Sequence, residues 1–101
     1  MKQIKICDEQ PMGTSFHGYT INTSYSKLKK LLGPPTYVEE DSDAKTQYEW
    51  RVETIDGIKG HIYDWKEYRK IKKTANIIWH IGGKDSESCQ KIKDALNAEL
   101  K

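Results

Sequence analysis

The stretch QYEWRVETIDGIKGHIYDW, residues 47 to 65, has the pattern of a β-hairpin and organises the rest of the chain. Aromatic or apolar residues alternate strictly with charged ones from Tyr48 to Glu53, as on a half-buried strand. The pair Asp56-Gly57 is favoured in two-residue type I′ turns, and a second strand-like segment follows it. The pattern therefore predicts two antiparallel strands joined by a tight turn.

The length of this turn decides which hairpin side chains share a face. A two-residue turn pairs Val52 with His61 and Trp50 with Tyr63, which gathers aromatic rings and a histidine on one face. A bulge or a longer loop shifts the register by one residue and brings the isoleucines of the second strand beside Trp50 instead. We expect the regular two-residue turn.

Three further segments alternate as strands do. They are KQIKI (2–6), GTSFHGYTIN (13–22) and NIIWHIGG (76–83). Gly18 in the second segment indicates a bulge or a close backbone approach. The third segment carries apolar residues on both of its faces, which is typical of a central strand that is covered on both sides.

Two segments have the apolar spacing and the end signals of helices. The first begins after Thr23 or Ser24, either of which can cap it, and ends at Gly33. The second begins near Asp85 or Ser86 and repeats apolar residues on one stripe. The predicted order of elements is β-β-α-β-β-β-α.

The length of 101 residues indicates a single domain, residues 1–101. We expect an α+β fold with a small antiparallel sheet of four to five strands packed against two helices. The net charge of +2 does not by itself indicate nucleic-acid binding. A signal peptide and a membrane-spanning apolar run are both missing, which predicts a cytoplasmic protein with no membrane contact. Cys7 and Cys89 are predicted to be reduced thiols, although the sequence leaves open a disulfide between them.

The sequence contains no recognisable set of catalytic groups, metal ligands or cofactor-binding residues. His61 and His80 lie on neighbouring predicted strands and are able to face the same side, but no third ligand follows at a suitable spacing. No nucleophile motif is present. We therefore expect a binding protein without a metal or cofactor, and a metal-assisted hydrolase would need both histidines to converge with a carboxylate.

Two sets of residues are predicted to form binding surfaces. For a protein partner, the exposed aromatic and acidic positions are Tyr63, Trp65, Tyr68, Glu39, Glu40 and Asp41. For a nucleotide or another small anionic ligand, the polar and glycine-containing positions are His17, Tyr19, His80, Gly82, Gly83 and Lys84. The basic, aromatic segment YDWKEYRKIKK (63–73) also fits contact with nucleic acid.

Several motifs together resemble a family of small proteins from phages and other mobile elements. The motifs are GTSFHGY (13–19), SYSKLKKLLGPP (24–35), YEW (48–50), DG (56–57), HIYDWK (61–66) and WHIGG (79–83). The resemblance brings no activity and assigns no residue a role. It implies an accessory protein in the host cytoplasm that binds a host protein stoichiometrically, as an anti-CRISPR-like inhibitor does, or that sequesters a nucleotide signal. Homo-oligomers are compatible with it.

The segment from Ser24 to Trp50 also resembles the half-repeat of BamE-like and β-lactamase-inhibitor-like binding modules. The resemblance rests on a helix that ends in LLGPP and is followed by a strand containing a tryptophan. It is an analogy at the level of fold, and it departs from those modules because strands precede the helix here. It implies a module built from helices packed on an antiparallel sheet.

Overall fold

Over the residues that the structure describes, the chain forms one antiparallel sheet with two helices, which confirms the predicted α+β class. The structure is a computed structural model that describes residues 3–7, 15–39, 46–65 and 70–100. Its elements in chain order are β1 (Ile4–Ile6), β2 (Ser15–Ser24), α1 (Tyr25–Leu32), β3 (Tyr37–Val38), β4 (Tyr48–Thr54), β5 (Lys59–Tyr63), β6 (Asn76–Gly83) and α2 (Ser86–Leu100). The strand that the sequence pattern did not predict is β3, which is too short to show a periodicity.

The sheet follows the order β1-β4-β5-β6-β2, and β3 pairs with the other half of the β4 edge that β1 occupies. Both helices pack on one side of the sheet, which we call the inner face. Its buried core contains Ile21, Trp50, Val52, Ile62, Trp79 and Ile81 from the strands and Leu28, Ile92 and Leu96 from the helices. We call the other side, which neither helix covers, the outer face.

The register of the β4–β5 hairpin differs from the predicted one. Trp50 pairs with Ile62 and Val52 pairs with Gly60, so the two-residue turn is wrong and the alternative with a longer loop is right. His61 therefore lies opposite Arg51 on the outer face and not beside Val52. The physical reason is burial, because the predicted register would have turned Ile62 away from the core that it now fills.

A three-residue loop produces this register. The N–H of Gly57 donates to the carbonyl of Thr54 at 2.9 Å, and the N–H of Thr54 donates to the carbonyl of Ile58 at 2.9 Å. Gly57 has a φ of 85°, the left-handed conformation that closes a type I turn with a bulge. Asp56-Gly57 is thus a turn signal, as predicted, but for a loop one residue longer.

The helix ends and the bulge in β2 agree with their sequence signals. The side chain of Ser24 accepts a hydrogen bond from the N–H of Lys27, and Gly33 ends α1 with a φ of 89°. The register of β2 against β6 shifts between Phe16 and Thr20, around Gly18. At the start of α2, the carboxylate of Asp85 accepts the N–H of Ser88 at 2.8 Å. Local signals therefore fix where these elements begin and end.

Two tryptophans form the centre of the core. Trp50 and Trp79 are fully buried and meet edge to face with ring centroids 5.4 Å apart. Their indole N–H groups donate to the carbonyls of Gly33 and Thr23, both at 2.9 Å, so the burial leaves neither indole donor unpaired.

The expectation that β6 is covered on both faces is wrong, because Ile78 is 49% exposed on the outer face.

Two further predictions concern the cysteines and the membrane. Cys7 and Cys89 are both buried free thiols, as in the reduced alternative. Among the described residues no helix is long and apolar enough to cross a membrane.

Candidate binding surface on the outer face

The outer face collects side chains from four neighbouring strands. Because successive strand residues point to opposite sides, the residues between the core positions face outward. They are Phe16, Thr20 and Asn22 on β2, Ile78, His80 and Gly82 on β6, His61 and Tyr63 on β5, and Glu49 and Arg51 on β4. The surface thus mixes aromatic rings with a few charged groups near one edge.

Aromatic and imidazole rings touch one another across this face, and we call them the ring array. Phe16 stacks on His80 with centroids 4.5 Å apart, and His80 lies 5.7 Å from Tyr63. Tyr63 in turn contacts His61 at 4.9 Å and Trp65 at 6.3 Å. The array therefore runs from β2 across β6 to β5 and to the residues that follow β5.

Gly82 provides the seat for the imidazole of His61. A Cβ atom at position 82 would collide with Nε2 and Cδ2 of that ring, so the ring rests directly on the glycine backbone. Nε2 is buried there without a hydrogen-bond partner among the described residues. The absence of a side chain at this position allows β5 to place a large ring over β6.

A carboxylate fixes the orientation of His61. Nδ1 of His61 lies 2.8 Å from Oε1 of Glu49, and Oε2 of Glu49 lies 3.8 Å from Nε of Arg51. The hydrogen bond from His61 lowers the pKa of Glu49 below its usual range, burial opposes this, and the charge of Arg51 assists it. Since the ionised carboxylate only accepts, Nδ1 of His61 carries the proton and Nε2 is the buried atom.

The phenol of Tyr63 lies at the centre of the ring array. Burial is the main cause that raises the pKa of Tyr63, and the negative charges that Cys89 and Glu49 carry when they are ionised are smaller causes. The phenol therefore stays neutral at physiological pH and keeps its O–H as a donor. A face of this kind offers flat apolar rings and a few directional polar groups.

The structure distributes the residues predicted for a protein partner unevenly. Tyr63 and Trp65 belong to the ring array, where Trp65 is 41% exposed. Glu39 follows β3, and its N–H donates to the carbonyl of Gln47 at 2.7 Å. Tyr68, Glu40 and Asp41 lie outside the described residues. Of the aromatic residues in this set, Tyr63 and Trp65 thus lie together on one surface.

The residues predicted for a small anionic ligand do not form one group. His80 and Gly82 lie on the outer face with the ring array. Gly83 faces the helices, where a Cβ atom would lie 2.9 Å from Sγ of Cys89. Tyr19 packs against the core, whereas His17 and Lys84 are exposed near the start of α2.

The N-terminus of α2, which the ligand hypothesis uses as an anion site, is occupied by a side chain of the protein itself. Its backbone donor at Ser88 is taken by Asp85, and that hydrogen bond is the main cause that lowers the pKa of the Asp85 carboxyl. The positive charges of Lys84 and His17 act on the same carboxylate. A bound anion would have to compete with this fixed negative charge.

Sequence reasoning missed two exposed apolar residues of the outer face, Phe16 and Ile78, and the pairing of His61 with Glu49. The sequence did allow the pairing of His61 with Glu49 to be predicted, because the longer hairpin loop places both residues on one face.

Among the described residues no group of three or more His, Cys, Asp or Glu side chains is arranged to hold a metal ion. Comparisons with protein-family models, with curated proteins and with solved structures find no match to this chain.

Proposed function

We propose that this protein acts by stoichiometric association with a protein partner, and that the partner binds the outer face. The observation that carries the proposal is a group of large apolar side chains left exposed there. Phe16, Trp65 and Ile78 are 45%, 41% and 49% exposed, and the half-buried rings of His80 and Tyr63 lie beside them. Exposed apolar patches rimmed by polar groups are typical of protein interaction sites.

The resemblance of the sequence motifs to proteins of phages and mobile elements supports a host protein as the partner. Inhibition of a host defence complex in the host cytoplasm is one common purpose of a small phage protein that binds without catalysis. The Glu49–Arg51 pair beside the array would then provide the polar rim of the interface. Its charges are mutually neutralised, so the apolar rings supply most of the affinity.

The size of the expected effects follows from the exposed aromatic residue. Replacing an aromatic anchor at the centre of an interface typically costs about 2 kcal/mol or more, which is about a 30-fold loss of affinity. Trp65→Ala should therefore weaken the complex strongly. The fold should tolerate the change, because Trp65 follows β5 and is outside the buried core.

Two isoleucines provide a matched pair for the test. Ile78 is 49% exposed on the outer face, and Ile55 is 53% exposed in the hairpin loop. The immobilised chain is used to capture proteins from a host lysate, and the captured protein is then titrated against purified variants. We expect Ile78→Ala and Trp65→Ala to lose binding while Ile55→Ala binds as the wild type does. Equal loss from both isoleucine variants, or from neither, would contradict the proposed surface.

The nucleotide-sequestering alternative has less support. The space that Gly82 leaves is filled by the His61 ring, and Asp85 caps the helix that the ligand would approach. Thermal unfolding in the presence of a panel of mononucleotides and cyclic dinucleotides separates the two functions. We expect no change in the melting temperature. A reproducible rise with one nucleotide would favour the alternative over a protein partner.

A further inference from the structure

The lysines of α1 and of the segment before β6 form a surface that we call the lysine patch. Residues 25–32 and 70–75 contain no Asp or Glu, and every lysine in these two ranges is exposed. The lysines are Lys27, Lys29, Lys30, Lys70, Lys72 and Lys73. In the rest of the described chain, acidic residues outnumber basic ones. The small net charge of +2 is therefore distributed unevenly over the molecule.

Hydrogen bonds hold the two segments of the patch together. The backbone N–H and the side-chain hydroxyl of Ser26 both donate to the carbonyl of Lys73, at 2.9 and 2.7 Å. The ammonium of Lys73 lies 5.7 Å from the centroid of the Tyr25 ring. Ser26 is on the exposed side of α1, and Lys29 and Lys30 follow it by three and four residues, one helical turn further on. The patch therefore continues from α1 onto the segment before β6.

The positive charges of the patch are not neutralised by acidic side chains of the described residues. The ion pairs there involve Arg51, His61 and Lys91, and none of them includes a lysine of the patch. Like charges that lie close together repel one another and destabilise the fold. A polyanion that binds the patch removes this repulsion, so the surface is complementary to one.

We infer that the lysine patch binds the phosphate backbone of duplex nucleic acid without reading its sequence. The apolar side chains of α1, Tyr25, Leu28 and Leu32, are buried in the core. The patch therefore has neither the apolar anchor of a protein interface nor an apolar face that inserts into a membrane. The two segments also expose no aromatic ring on which unpaired bases would stack. Lysine side chains act as point charges, which suits contact with phosphates.

This surface goes beyond the proposed function and does not rest on it. The buried side of α1 packs on the inner face of the sheet, whereas the ring array lies on the outer face. The lysine patch and the ring array are thus separate surfaces. A protein partner on the outer face leaves the patch accessible to nucleic acid.

Fluorescence anisotropy with a labelled DNA duplex of mixed sequence tests the inference. Each lysine that neutralises a phosphate releases counterions, so log K should fall with log salt by about 0.9 per contact. With about five contacts, the affinity should fall on the order of 500-fold between about 50 and 200 mM salt. Duplexes of unrelated sequence should bind equally well, because no group of the patch reads a base edge.

Two double variants remove charges from the two segments separately. Lys29→Gln with Lys30→Gln changes α1, and Lys72→Gln with Lys73→Gln changes the segment before β6. Glutamine keeps a helix propensity close to that of lysine, so α1 should persist. Each double variant should reduce the salt slope by about two and weaken binding about tenfold or more at about 50 mM salt.

The matched control is Lys84→Gln with Lys91→Gln, which removes the same charge from exposed positions before and on α2. It should bind the duplex as the wild type does. No binding by the wild type at about 50 mM salt, or an equal loss in the control and the patch variants, would overturn the inference. Polyglutamate that displaces the duplex as well as unlabelled duplex does would also overturn it and assign the patch to an acidic protein. Trp65→Ala and Ile78→Ala should bind the duplex normally, so either proposal can fail alone.

Discussion

Replacing Gly82 by alanine tests how the outer face is built. Gly82 has no positive φ, so its backbone accepts an alanine, and the change should act through His61 alone. The new methyl group displaces the imidazole and breaks its hydrogen bond to Glu49. The side chains of His61 and Glu49 are each only 21% exposed. Losing a hydrogen bond to a charged group costs about 1.5–3 kcal/mol.

The same substitution should behave differently once the ring is removed. In a His61→Ala background the seat is empty, and Gly→Ala then stabilises by about 0.4–1 kcal/mol through the unfolded chain. In the wild-type background that gain offsets part of the loss, which leaves a destabilisation of about 1–2 kcal/mol. The difference between the two backgrounds is a coupling energy of about 2 kcal/mol.

Urea unfolding of the wild type, Gly82→Ala, His61→Ala and the double variant measures this coupling directly. All four are compared at one protein concentration. Gly82→Ala should destabilise the wild type and stabilise His61→Ala. If Gly82→Ala lowers the free energy of unfolding equally in both backgrounds, the His61 ring does not pack on Gly82 as described.

Three further predictions concern single side chains. The fully buried carboxylate of Asp64 accepts hydrogen bonds from the N–H groups of Gln47 and Tyr48. Asp64→Asn should therefore lower the free energy of unfolding, measured in urea, by about 2 kcal/mol. An unchanged free energy of unfolding would show that these hydrogen bonds do not stabilise the fold. The pKa of Glu49 is lowered from 4.5, so the stabilisation from its ionised carboxylate is present above pH 4.5 and is lost as the pH falls through the folded pKa. The difference in free energy of unfolding between the wild type and Glu49→Gln should therefore disappear in acid. A difference that does not change with pH would argue against the Glu49–His61 pair. Burial raises the pKa of the Cys89 thiol. In a Cys7→Ser chain, Cys89 should therefore react slowly with a disulfide reagent until urea is added. Fast reaction of the folded chain would show that the thiol is accessible.

Helices and most strands were predictable because their signals are local. Ser24 and Gly33 are end signals that act within one helical turn, and the bulge at Gly18 follows from the conformational freedom of glycine. The hairpin register was not settled locally, because Asp56-Gly57 fits loops of two lengths. Burial of Ile62 under the helices selects the longer loop, and that is a property of the whole fold.

The candidate site was predictable only in part. Tyr63, Trp65 and His80 were predicted as members of two separate surfaces, and the register brings them together on one. Phe16 and Ile78 were missed because an apolar residue in a strand is normally assumed to be covered. Whether it is covered depends on which face the two helices choose, and a strand with apolar residues on both sides carries no information about that choice.

Site-specific photocrosslinking tests the central claim most directly. A photoreactive amino acid is placed at position 65 or 78 on the outer face, or at position 55 in the hairpin loop as the control, and the chain is irradiated in host cells. Positions 65 and 78 should give the same discrete adduct with one host protein, and position 55 should give none. An adduct formed at position 55 but not at positions 65 and 78 would show that the partner binds elsewhere, and the outer face would not be the binding surface.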